Sequence, residues 1–292
     1  MKWMLITFFS TIIHLSFAQN LVLNPSFENR DEEFCGIMTN SDFSPYVDDW
    51  YNPTQGSPDL YFTTIDSSCF NFTPNSTYTG PIGIKGSQLP KTGEVMAGFF
   101  LYTIQGLSQR EYIQVPLSSP LIVGDKYIVE CYVSLADSTQ YASDRFGMHL
   151  SVQPISLQSD NILNYTPQVI SNNVITETQN WVLVSDTITA TDAYAYLTIG
   201  NFNSDAQTSL LSNPTYSGKP GTYGAYYYID DVRVEHFRSL NTSENQLLEL
   251  NNSNRKLIKV LDFMGRETEF KPNTTLIYIF SDGTSERVYK ME

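Results

Sequence analysis

The chain has 292 residues and a net charge of −14, with 41% hydrophobic and 13% aromatic residues. That length supports a substantial core and one large or two modest domains. The acidic balance disfavours nucleic acid and anionic membranes as partners, and it suits solubility and divalent cations.

The first residues read "MKWMLITFFSTIIHLSFAQN": one lysine, an apolar run from Trp3 to Phe17, then small residues at Ser16 and Ala18. The run is shorter than the about 20 residues a spanning helix needs. Residues 1–18 are therefore expected to be a signal peptide cut between Ala18 and Gln19. The mature chain would be secreted or displayed on the cell surface and would not be an integral membrane protein.

"NLVLNPSFENR" follows, a short apolar strand that ends at Glu28. Cys35 and Cys69 lie in polar, turn-rich sequence and are paired as a disulfide, which export permits. Cys131 sits inside the apolar strand "KYIVECYVSL" and is read as a buried free thiol. The long polar stretches Asn29–Pro90 and Asn201–Tyr223 either carry binding function or close the ends of the fold. Trp50, Tyr51 and Tyr61 in the first, and Tyr216 and Tyr223 in the second, are candidates to stack on sugar rings. Trp181 opens a strand and is assigned to the core.

Strands are expected in "GEVMAGFFLY", "EYIQVPL", "KYIVECYVSL", "FGMHLSV", "WVLVSDTITA", "AYAYLTIG" and "YYYIDDVRV". Many short strands with almost no helix indicate an antiparallel β-sandwich. In the last strand, simple alternation puts Tyr228, Asp230, Val232 and Val234 on an apolar face, and Asp231, Arg233 and Glu235 on a solvated one. A carboxylate among valines needs a cation or several hydrogen-bond donors. With the first strand beside the last, Asp230 and Glu28 would form an oxygen-rich calcium site. The other reading is that Asp230 caps main-chain amides.

After Ser239 the balance changes. Residues 19–244 hold 9 Lys/Arg against 24 Asp/Glu, whereas residues 245–292 hold 7 of each. Residues 239–246 read as a linker between a sandwich over 19–238 and a tail over 247–292. The tail has a turn at Met264–Arg266 and a hairpin around "SDGT". It would be marginal alone and is expected either to dock on another surface or to remain loosely tethered.

Signals for catalysis are sparse. There is no HExxH, GxSxG, phosphate loop or metal-spaced Cys/His cluster, and the histidines are His14, His149 and His236. The leading expectation is a non-catalytic binding module for a glycan or surface polymer. The alternatives are a structural or adhesive surface protein, and a hydrolase using a carboxylate pair.

"NLVLNPSFE" and "YYYIDDVRV" resemble the two signatures of galactose-binding-like jelly rolls, a fold shared by many carbohydrate-binding modules. In calcium-binding members a structural ion joins the glutamate of the first motif to an aspartate of the last. The resemblance implies Glu28 and Asp230 as ligands, with Asp231 as the fallback. Residues 20–236 further resemble a group of secreted Bacteroidota proteins. "KLIKVLDFMGRE" and "NTTLIYIFSDGTSERVYKME" resemble the type A C-terminal sorting domain of the type IX secretion system, which implies that machinery as a partner. The tail is shorter than the usual domain.

Overall fold

The computed structural model describes residues 19–30, 43–63, 82–83, 85–103, 108–216, 218, 222–237, 256–281 and 283–289. The expected signal peptide over 1–18, the expected Cys35–Cys69 disulfide and the expected linker over 239–246 fall outside these residues. The chain divides into two compact units, one of which is Asn20–Phe237.

A single helical turn, α1 (Phe43–Tyr46), precedes the strands of this unit. They are β1 (Asp59–Phe62), β2 (Ile82–Gly83), β3 (Gly86–Ser87), β4 (Val95–Tyr102), β5 (Ile113–Pro116), β6 (Lys126–Leu135) and β7 (Tyr141–Ser143). Next come β8 (Gly147–Ser151), β9 (Val169–Ile170), β10 (Val182–Thr189), β11 (Tyr196–Gly200), β12 (Leu210–Ser212) and β13 (Ala225–His236). Each of the seven expected stretches holds a strand.

One sheet has the order β1-β4-β13-β6-β10 and the other β5-β11-β8-β9, with antiparallel pairing throughout. From β4 onward the main strands alternate between the two sheets, except for the consecutive pair β8 and β9. The order β4-β13-β6-β10 facing β5-β11-β8-β9 is that of an eight-stranded jelly roll.

The period-two pattern of the sequence fills the space between the sheets. Ala97, Phe99, Leu101, Val129, Cys131, Val133 and Ile229 come from the larger sheet, and Ile113, Val115, Met148, Leu150, Leu197 and Ile199 from the smaller. All are essentially inaccessible, and each large apolar side chain contributes about 1.5–3 kcal/mol by leaving water. Cys131 is a buried free thiol in this core, as its strand pattern indicated.

The first residues lie beside the last strand. Leu21 N donates to Val234 O at 2.7 Å, and Ser118 N donates to Leu21 O at 2.8 Å, so this segment laces the two sheets together. Asn20 adds side-chain bonds to Val232 O and from Val234 N.

The face assignment in β13 needs correction. Asp231 has φ 50°, and the register against β6 shifts between Asp230 and Arg233. This bulge inserts a residue and reverses the alternation beyond it. Val232 and Val234 therefore join Tyr227 and Ile229 in the main core. Asp230 keeps company with Tyr226 and Tyr228 on the outer face of the five-stranded sheet.

In the tail, β14 (Leu257–Leu261), β15 (Thr275–Phe280) and β16 (Ser285–Tyr289) form an antiparallel sheet in that order. Among the described residues, Leu276, Phe280 and Val288 are buried in it. The first turn is held by Asp262, whose carboxylate accepts Met264 N, Arg266 N and Arg266 Nε. Gly283 in the second turn has φ 84°, the left-handed region for which glycine is suited.

Candidate functional site

The outer face of the five-stranded sheet is crossed by a strap, residues Lys85–Glu94. Ser138 N donates to Lys85 O at 3.0 Å, Gln88 Nε2 to Ser134 Oγ at 2.6 Å, and Trp181 Nε1 to Leu89 O at 3.1 Å. Its far end is fixed by the three carboxylates singled out from sequence. Asp230 Oδ2 accepts Lys91 N at 2.7 Å and Thr92 N at 3.1 Å, while its Oδ1 accepts Asp231 N at 2.7 Å. Glu28 Oε1 accepts Glu94 N at 2.8 Å and Val95 N at 2.9 Å. Asp231 Oδ1 accepts the hydroxyls of Ser26 and Thr92, both at 2.6 Å.

Asp231 is thus half-buried and bonded rather than a free surface charge, and Asp230 caps main-chain amides. Burial pushes the Asp230 carboxyl up to about 7, with amide bonds opposing the shift and the Asp231 charge adding to it. Gly93 is required at its position: φ is 63°, and a Cβ would lie 2.1 Å from Glu28 Oε1. The carboxylate and hydroxyl oxygens gathered here are the hard donors calcium takes. Among the described residues, no three His, Cys, Asp or Glu side chains cluster in a way that could hold a metal ion.

On the other side of the strap, under Lys85, lies an acid–aromatic cluster, called the pocket below because the Lys85 ammonium seats in it, that local sequence patterns did not reveal. Tyr61 (β1), Met96 (β4), Tyr226 and Tyr228 (β13) form a buried cluster apart from the main core, with Phe100 and Trp181 partly covered beside it. Trp181 therefore packs on the outer face and not between the sheets. The rings meet edge to face: Tyr61–Tyr228 at 5.0 Å and 88°, Phe100–Tyr226 at 4.9 Å and 85°. Gly98 makes the room, because a Cβ there would lie 2.6 Å from Tyr226 Cε1 and 2.9 Å from Tyr61 Cε2.

A hydroxyl chain runs through the cluster. Tyr61 OH donates to Tyr226 OH at 2.9 Å, and Tyr226 OH donates to Asp59 Oδ2 at 2.7 Å. Glu111, just before β5, accepts Phe100 N on Oε2 at 2.8 Å, and Ser57 N and Oγ on Oε1 at 3.2 and 3.1 Å. Burial raises Asp59 to about 6, against the Lys85 charge and the Tyr226 bond. Burial raises Glu111 to about 7, with the Asp59 charge adding to it. Carboxyls raised by burial occur at functional sites and in structural networks alike. The sequence did carry one trace of this pocket, a lone glycine within the strand pattern "VMAGFF", which signals close approach.

The other sugar-stacking candidates divide. Trp50 is 1% exposed, its Nε1 donates to Asn24 O, and its ring packs on Phe27 at 4.9 Å, so it offers no face to a ligand. Tyr61 is equally buried, inside the pocket's wall. Tyr51 is half-buried, its main chain pairs with Gln114, and burial with Tyr196 nearby raises its hydroxyl to about 12. Tyr216 and Tyr223 do meet, with centroids 6.5 Å apart, and Tyr223 is exposed. Both remaining histidines have structural settings: His149 packs against Tyr165 and Phe202, and His236 pairs with Asp125 at 2.8 Å.

No family model matches the sequence, and no curated protein is similar enough in sequence to count as a match. Among solved structures, the chain is similar to the CBM22-1 xylan-binding domain from Paenibacillus barcinonensis Xyn10C at 12% identity and TM-score 0.36, covering 76% of this chain and 97% of that one. It overlaps the tandem CBM22-1-CBM22-2 domain of the same protein at 13% identity and TM-score 0.39, covering 91% of this chain and 62% of that one. It overlaps the K2 cleaved adhesin domain of Lys-gingipain at 9% identity and TM-score 0.34, covering 73% and 97%. The jelly-roll assignment rests on the strand order above and not on these overlaps.

Proposed function

We propose that this chain is an exported, non-catalytic binding module for a glycan or another surface polymer, and that the acid–aromatic pocket is where it binds. The observation that carries this reading is the partly exposed Phe100 ring beside the carboxylates of Asp59 and Glu111 on one sheet face, backed by the buried Tyr226. Rings supply faces for sugar stacking, and carboxylates accept hydroxyl hydrogen bonds. Each carboxylate already takes donors from the fold itself, which suits a static binding wall better than a proton-shuttling pair.

Two further parts of the reading concern stability and export. A calcium ion at Glu28 and Asp230, with Asp231 as the fallback, would require these carboxylates to turn toward one another from the amides they now accept, and would then tie the strap to β13. The segment over 247–292 would direct the chain through the type IX secretion machinery to the surface or the medium.

The test is a glycan array probed with the full mature chain and with Phe100→Ala. Binding that weakens about tenfold in the variant, the factor that ~1.4 kcal/mol represents, supports the pocket. A blank array favours a structural or adhesive role. Release of reducing ends from a bound glycan, abolished by Glu111→Gln, would replace binding with hydrolysis at the Asp59–Glu111 pair.

A further inference from the structure

The pocket already holds a cation. Lys85 Nζ lies 4.0 Å from the Phe100 ring centroid and 4.7 Å from that of Tyr226. The residue is only 8% exposed, and Asp59 and Glu111 both act to keep it charged against the opposing effect of burial. Two ring faces and two carboxylates around one ammonium form a setting that suits a primary amine, since ring faces attract cations and ionised carboxylates only accept hydrogen bonds.

The occupant and the walls have separate origins. Asp59, Phe100 and Tyr226 stand on β1, β4 and β13, and Glu111 on the approach to β5, all parts of the sandwich. Lys85 comes from the β2–β3 ribbon, a two-stranded sheet of its own. Removing the lysine side chain therefore deletes no wall residue. The charges are also unequal, two carboxylates against one ammonium among the described residues.

We propose that this pocket is a receptor for primary ammonium groups, with Lys85 as its built-in occupant, and that its glycan ligand carries free amines, as a de-acetylated amino-sugar polymer does. The second half rests on the glycan reading; the first does not. An acetamide in place of the amine has no charge to offer the carboxylates, so acetylation removes the attraction.

The experiment has two arms, both with the full mature chain. Lys85→Ala deletes a propylammonium's worth of atoms, so thermal melts of this variant are run in propylammonium chloride and in sodium chloride at equal ionic strength. Propylammonium is expected to recover most of the lost melting temperature, with no effect on the wild type; recovery no better than sodium's overturns the receptor. In the second arm, glucosamine and N-acetylglucosamine oligomers are titrated calorimetrically into Lys85→Ala, in which the ammonium no longer fills the site. Glucosamine oligomers are expected to bind about tenfold more tightly, and equal affinities overturn the amine preference while leaving the glycan reading intact. Propylammonium rescue with no binding of either sugar supports the receptor and removes the glycan reading. If Lys85→Ala does not fold in sodium chloride, its refolding yield in propylammonium chloride decides: a higher yield than in sodium chloride supports the receptor, and an equal yield overturns it.

Discussion

Asp230 Oδ2 accepts the main-chain N–H of Lys91 at 2.7 Å across a sequence separation of 139 residues. One buried carboxylate in the last strand of the sandwich thus fixes the strap that covers the sheet. Replacing it by alanine leaves the amides of Lys91 and Thr92 without their acceptor, and an orphaned buried donor costs about 1–3 kcal/mol. Asp230→Ala is expected to lower stability by that order in chemical denaturation and to speed proteolysis after Lys91. Unchanged cleavage at Lys91 would show that the strap is held without Asp230.

Gly98 is the floor beneath two rings. Gly98→Ala places a methyl group where Tyr226 and Tyr61 now lie, at 2.6 and 2.9 Å. Overpacking of this kind costs about 1–3 kcal/mol. The variant is expected to lose stability and to weaken glycan binding together, whereas a neutral melt would mean that the rings move aside freely.

The pocket carboxyls set a direction for pH. Asp59 and Glu111 stand at about 6 and about 7 in the folded chain, above their usual 3.8 and 4.5. The folded state therefore holds protons that the unfolded chain has released. Their contribution to stability is full below about pH 4 and is lost as pH rises through 6 to 7. Denaturation between pH 4 and 8 should show that decline, and Glu111→Gln should make it shallower. A slope unaffected by the substitution would place the titration elsewhere.

Calcium gives a separate prediction, read by melting with and without chelator. Added calcium is expected to raise the melting temperature of the wild type and to leave that of Asp230→Ala unchanged, because only the intact carboxylate set would bind the ion. Equal melts of the wild type in calcium and in chelator would leave Asp230 and Glu28 as amide caps alone.

The strands were legible because their apolar residues alternate, as in Tyr127, Val129, Cys131, Val133 and Leu135 of β6. The carboxylates Glu28 and Asp230 were legible as partners in one region, since flanking motifs placed the first segment beside the last strand. Their role was left open, because amide donors in the strap carry no side-chain signal. The face reversal at Asp231 escaped notice, since a bulge is a matter of one φ angle that aspartate tolerates. Trp50 was misplaced because a loop residue reads as exposed until Asn24 and Phe27 are seen to enclose it. The pocket was invisible for a different reason. Asp59, Lys85, Glu111 and Tyr226 are spread over 167 residues, and only the strand order brings them together.

That strand order also has a temporal meaning. β13 is the last strand of the sandwich to be synthesised, yet it occupies the middle of its sheet, between β4 and β6. Until residues 225–236 arrive, the inner edges of β4 and β6 have no neighbour, the Lys91 and Thr92 amides have no acceptor, and the Tyr226 ring is missing from the pocket. Long-range pairing of this kind is slow to form, because loop closure comes before the contacts that reward it. The five-stranded sheet can therefore close only once residues 225–236 are available, after every other strand of the sandwich has been made.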